Sequence, residues 1–94
     1  MRLTDLLQLI DDLNINTAFY LQIDNQLLPW SKLTLAGDKC LLYPGKKPLT
    51  KIRLIKLVGR IHGRGIPLLA VVNDQEYPIF GLQIREETGQ AVLK

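Results

Sequence analysis

Two stretches of the chain repeat one pattern, and that constrains the fold more than any other feature. Tyr20–Trp30 and Leu69–Ile79 align at an offset of 49 residues. In each, an aliphatic residue precedes an Asp/Asn pair (Asp24-Asn25, Asn73-Asp74), then Gln, then a proline three positions on (Pro29, Pro78). The match continues to Leu33 and Leu35 against Leu82 and Ile84. Upstream, Leu3-Thr4 aligns with Leu49-Thr50 and Ile15 with Ile61, at an offset of 46. An insertion of three residues near Gly63-Arg64-Gly65 reconciles the two offsets. Self-similarity at a fixed period reads as a tandemly repeated unit.

Each unit opens on a helix. At 100° per residue, Leu3, Leu6, Leu7, Leu9, Ile10 and Leu13 share one side of Leu3–Leu13, with Asp5, Gln8, Asp11 and Asp12 opposite. Thr4 is the expected N-cap. The second helix is expected over Leu49–Val58 or as far as Ile61, since Lys56 and Leu57 break a strand's alternation. Leu54, Leu57, Val58 and Ile61 gather on its inner side; Arg53, Lys56 and Arg60 gather outside.

A hairpin follows each helix. Thr17–Ile23 and Leu68–Val72 have strand length and composition, and Asp24-Asn25 and Asn73-Asp74 suit two-residue type I′ loops. The returning strands are expected at Leu28–Leu35 and Tyr77–Arg85, with Pro29 and Pro78 at edges or bulges. Third strands are expected at Lys39–Tyr43 and Ala91–Leu93, and Pro44-Gly45 fits a type II turn. The expected fold class is α+β: tandem duplicated α-β-β-β units (3–43 and 49–93) in a single domain 1–94, with a mostly antiparallel sheet and both amphipathic helices on one face.

Composition supports a packed core. The 19 Leu, 9 Ile and 4 Val exclude whole-chain disorder. One cysteine excludes a disulfide scaffold, and one histidine with one cysteine excludes most metal sites and catalytic triads. No stretch reaches the length of a membrane span. Asp5, Asp11 and Asp12 are wrong for a signal peptide. A cytoplasmic location is expected, and the lone thiol suits a reducing compartment.

Groups that carry chemistry mostly have plain structural roles. Asp11 and Asp12 are adjacent on a helix and do not face each other. Asp24 and Asp74 belong to turns, and Glu86-Glu87 to an exposed turn. Cys40 lies in an alternating apolar strand, where an inert thiol is expected. His62 lacks a second ligand at metal spacing. Gly59–Gly65 offers glycines and arginines to an anion, yet it lacks a P-loop's ending and a dinucleotide fingerprint. No enzyme activity, metal or cofactor is expected.

Charge is what remains. The net +3 divides into −2 over residues 1–45 and +5 over residues 46–94. Arg53, Lys56, Arg60 and Arg64 are the candidate anion- or partner-binding residues, flanked by Lys46 and Lys47. The expected function is a small non-enzymatic cytosolic binding or interaction module that associates with itself, as a dimer, or with a protein partner. Its contact surfaces would be this basic helix with its glycine–arginine loop, and an exposed strand edge. The alternative is a nucleic-acid-binding accessory protein using the same helix; no membrane partner is expected.

Overall fold

The computed structural model describes residues 1–59 and 65–94. Among them are two α-helices, α1 (Leu3–Leu9) and α2 (Lys51–Val58). The strands are β1 (Ala18–Ile23), β2 (Gln26–Ala36), β3 (Lys39–Pro44), β4 (Leu68–Val72), β5 (Gln75–Pro78), β6 (Leu82–Arg85) and β7 (Gln90–Leu93). The architecture is α+β, with one mixed seven-stranded sheet. No helix of the described residues is long and apolar enough to cross a membrane.

Turn chemistry sets the hairpins. Asp24 and Asn25 (φ 49° and 67°) join β1 to β2, and Asn73 and Asp74 (φ 53° and 64°) join β4 to β5. Two consecutive left-handed residues are what a type I′ loop needs, and Asn and Asp tolerate that conformation.

The strand order is β5-β4-β3-β2-β1-β7-β6. Pairs β1–β2, β2–β3, β4–β5 and β6–β7 are antiparallel, whereas β1–β7 and β3–β4 are parallel. Seven strands laid flat would span roughly 29 Å. Yet β5 and β6, at the two ends of the order, are separated by only three residues in sequence, a link that reaches at most about 14 Å. The sheet must therefore roll until its ends meet.

Rolling works because strands change partner along their length. Gln26–Pro29 of β2 lies on β1, and Trp30–Ala36 lies on β3, with a register shift between Trp30 and Lys32. β5 pairs with β4 up to Pro78, then Leu82 onward pairs with β7. Between them, the Phe80 and Gly81 N–H groups both donate to the Lys94 carbonyl (2.7 and 3.2 Å). The single strand expected over Tyr77–Arg85 is thus two strands. The Ile79 N–H still donates to Leu68 O (3.1 Å), and the partner changes just beyond it.

Where β2 leaves β1, another segment enters. The Leu49 N–H donates to Trp30 O (2.7 Å), Phe19 N–H donates to Leu49 O (2.9 Å), and Lys51 N–H donates to Thr17 O (2.9 Å). The same three bonds recur in the other half. The Met1 amine donates to Ile79 O (2.7 Å), Leu68 N–H to Met1 O (3.0 Å), and Leu3 N–H to Ile66 O (2.8 Å). These bonds equate Met1-Arg2-Leu3 with Leu49-Thr50-Lys51, an offset of 48 rather than 46. The Leu-Thr match in the sequence stands two residues away from this correspondence. The difference between the halves before β4 shrinks from three residues to one.

The inward strand positions make one core with the helices: Phe19, Leu21, Ile23, Trp30, Cys40, Leu42, Leu68, Ala70, Ala91 and Leu93, joined by Leu3, Leu6, Ile10, Leu49, Leu54, Val58 and Ile79. Phe19 and Trp30 meet edge to face, 5.6 Å between centroids, an arrangement that suits the ring quadrupoles. Trp30 Nε1–H donates to Lys32 O (3.0 Å), so its buried donor is satisfied.

Three local expectations are corrected. α1 ends at Leu9, not Leu13, with Ile10 at its C-cap (ψ 0°). Its N-cap is Arg2, not Thr4; the Asp5 carboxylate accepts the Arg2 N–H at 2.9 Å. Pro44-Gly45 forms no type II turn, because Gly45 lacks the positive φ that turn requires. Its glycine is needed for space: a Cβ there would lie 2.6 Å from Ser31 Oγ and 2.7 Å from Ser31 Cβ. Ser31 donates its hydroxyl to Lys47 O just beyond. Gly45→Ala should therefore destabilise the fold by about 1–3 kcal/mol in urea unfolding. Ser31→Gly in that background should recover part of the loss, since it removes the clashing Cβ.

Candidate interaction surface

The orientation of α2 is set by Lys51, which stands off the basic stripe of the sequence. It is 7% exposed. Its ammonium donates to the carbonyls of Asp11 and Leu13, each at 2.7 Å. Those oxygens lie in the turn that follows α1, beyond its C-cap Ile10. The ammonium gives both carbonyls a charge-assisted donor. A second link is Ile52 N–H to Ile15 O (3.0 Å).

Burying Lys51 turns the helix. Its inner residues are Lys51, Leu54 and Val58. The wheel centre of these three lies about 40° from that of the inner side expected from sequence. Leu57, expected inside, is 44% exposed. Ile52 and Ile55 are also exposed, at 37% and 42%. Arg53 and Lys56 occupy the outward pole and are exposed.

The structure thus brings Arg53 and Lys56 together on one face. Lys46 and Lys47, in the link before the helix, are exposed too. Arg60, Arg64 and His62 lie outside the described residues. Among the described residues the ion pairs are Arg2–Asp5 (3.9 Å) and Lys39–Glu76 (3.0 Å), so neither Arg53 nor Lys56 has an acidic partner there. Sequence reasoning missed Lys51 and the exposed isoleucines. Lys51 sits two residues from Arg53, off the stripe, and a cation on the inner arc is the signal that it reaches carbonyls rather than water.

The acidic turn is exposed beside this helix. Asp11 and Asp12 face solvent, with Leu9 and Ile15 at 51% and 55% exposure. A cleft of about 240 Å³ runs from there to the Glu86–Gln90 turn, lined by Asp12, Asn14, Thr17, Arg85 and Glu86. It is smaller than the usual small-molecule site. Glu86 and Glu87 are exposed in a 3₁₀ turn. Trp30 is fully buried and Tyr20, Tyr43 and Tyr77 are half-buried. The Lys32 ammonium sits 5.4 Å from the Tyr43 ring centroid.

The edge expected to pair with another sheet is small. β5 and β6 are the end strands of the order and have four residues each. β5 ends on Pro78, so it offers a poor template for strand addition.

Comparison with protein-family models, with curated proteins and with solved structures finds no match for this chain.

Cys40 is fully buried, and burial pushes its thiol up to about 11. The folded state therefore holds this proton more tightly than the unfolded state. The resulting stability is present below pH 9 and is lost as pH rises toward 11. A thiol reagent at pH 8 should label Cys40 only as fast as the chain unfolds, and the alkaline loss should be smaller in Cys40→Ala. Lys51→Ala leaves two carbonyls without their donor and should cost roughly 1–3 kcal/mol in urea unfolding. Arg53→Ala, on the exposed pole, should stay within about 0.5 kcal/mol of the parent.

Proposed function

We propose that this chain is a small non-enzymatic interaction module of a reducing, cytosolic compartment, and that it associates with copies of itself. The carrying observation is the outer surface of α2, where the exposed cations Arg53 and Lys56 are interleaved with the exposed aliphatics Ile52, Ile55 and Leu57. Apolar side chains among charges are what a protein interface uses: aliphatics supply the buried centre and charges set the orientation. Lys51 ties this helix to the turn after α1 through two hydrogen bonds, and a pre-ordered surface loses less entropy on docking.

We also propose that the two α-β-β-β halves arose by tandem duplication, with both helices on one side of the sheet. The three hydrogen bonds that recur at offsets of 48 and 49 support this reading. So do the paired type I′ turns. Duplication suits the charge division, because one copy can keep a structural role while the other acquires a basic surface.

Nucleic-acid binding is the second reading, favoured by the exposed Lys46, Lys47, Arg53 and Lys56. A phosphate backbone needs clustered cations, but it makes no use of the intervening isoleucines. The tryptophan that would stack on a base is in the core.

Sedimentation equilibrium separates the two. A module that associates through apolar surface should show a dimer mass at tens of micromolar that persists at high salt. A strict monomer at millimolar concentration would defeat it. On the nucleic-acid reading, the chain should bind oligonucleotides at low salt, lose that binding steeply as salt rises, and lose it in Arg53→Glu/Lys56→Glu.

A further inference from the structure

We infer that the partner of this face is a second copy of the same chain, docked about a two-fold axis through Ile15, Ile52 and Ile55. Each copy then sets its acidic turn (Asp11, Asp12) on the basic pole of α2 (Arg53, Lys56) of the other. The inference rests on the self-associating reading above and names its geometry.

Three neighbouring regions build the surface in a fixed sequence. The acidic turn is tied to Lys51, whose ammonium binds the Asp11 and Leu13 carbonyls at 2.7 Å each. Ile15 lies next, joined to Ile52 by the backbone bond of 3.0 Å. On the helical wheel, Ile52 and Ile55 occupy the flank between buried Lys51 and outward Lys56, with Arg53 beyond. A strip therefore runs from acid, through three exposed isoleucines, to base. Ile15, Ile52 and Ile55 are 55%, 37% and 42% exposed. Among the described residues, Asp11, Asp12, Arg53 and Lys56 have no ion-pair partner.

Such a strip is self-complementary. A two-fold contact laid across its middle puts acid on base at both ends and isoleucine on isoleucine between them. Isoleucine is stiff at χ1, so burying it costs little side-chain freedom. Other occupants fit one end only. A nucleic acid or an anionic lipid surface that meets Arg53 and Lys56 carries like charge toward Asp11 and Asp12. A uniformly acidic peptide meets the same repulsion, and a uniformly basic one meets it at the other end. A head-to-tail contact leaves one acidic and one basic end uncovered and does not close.

The test is a charge exchange at exposed positions, read by sedimentation equilibrium on the full chain. Arg53→Glu/Lys56→Glu makes both ends acidic; Asp11→Lys/Asp12→Lys makes both ends basic. Each double variant alone should dissociate at least tenfold more readily than the parent dimer. An equimolar mixture of the two should form a heterodimer, because every contact between unlike variants is again acid on base. Circular dichroism checks that both variants stay folded. If the parent is dimeric and both variants remain equally dimeric, this face is not the interface, while self-association stands. The pairing is wrong if the variants are monomeric and the mixture stays monomeric. A parent that is monomeric at millimolar concentration overturns both this inference and the reading beneath it.

Discussion

The fold turns on two carbonyl groups, those of Trp30 and Ile79. At each, a strand changes partner, and the vacated ladder position is taken by an incoming segment: Leu49 at Trp30, and Met1 at Ile79. A buried carbonyl without a donor is costly, so these segments are held to a single register. The following residues then have no choice of starting point. Arg2 and Thr50 take extended conformations beside Pro67 and Ala18, and the helices begin immediately after. Helix position is in this way a consequence of strand exchange rather than of helix propensity. That is reasonable for helices of 7 and 8 residues, which have little stability of their own.

From the start of α2 follows the burial of Lys51. A lysine fixed directly after the exchanged segment must either reach water or find acceptors, and the turn after α1 supplies two. The bond pattern ties the exit of the first helix to the entry of the second, so the acidic turn and the basic pole stand in fixed relation. Two of the three N–H donors of this enclosed side chain are met by those carbonyls. A methionine of similar length would fill the space and leave the carbonyls unmet.

Much of this was legible in the residues. The Asp/Asn pairs announced both type I′ turns, since few other residues accept two consecutive positive φ values. The alternation of Phe19, Leu21 and Ile23, and of Cys40 and Leu42, announced which side of each strand is core. Other features were not legible, for physical reasons. The offset of the helices was misread by two residues, because Leu-Thr is common and backbone hydrogen bonds, which set register, leave no mark on side-chain identity. Helix α1 was drawn too long because Leu13 continues the helical period although the chain has already turned at Ile10. The inner face of α2 is not the one hydrophobicity marks, because a lysine bound to carbonyls outranks Leu57. The rolled sheet was invisible because it depends on which strand meets which, and periodicity is silent on that. Arg53 and Lys56 are exposed, because the rotation that buries Lys51 turns both away from the core.

An exposed isoleucine, taken singly, says little, because much of any protein surface is apolar. Leu27, Leu35 and Ile84 on the strands are of this kind, each 41–44% exposed. Ile15, Ile52 and Ile55 differ in their setting. Two are on a helix whose rotation is fixed by a buried cation, the third is bonded to the first of them through the backbone, and opposite charges frame the group. A solvated helix face has no reason to keep stiff aliphatics at that position, where exposure forgoes about 25 cal/mol for each Å² of apolar surface left unburied. A chain of 94 residues has a limited interior, and its aliphatic surplus has to go somewhere. Here part of it goes to the seam between an acidic and a basic surface, which is where a second molecule of opposite polarity would cover it.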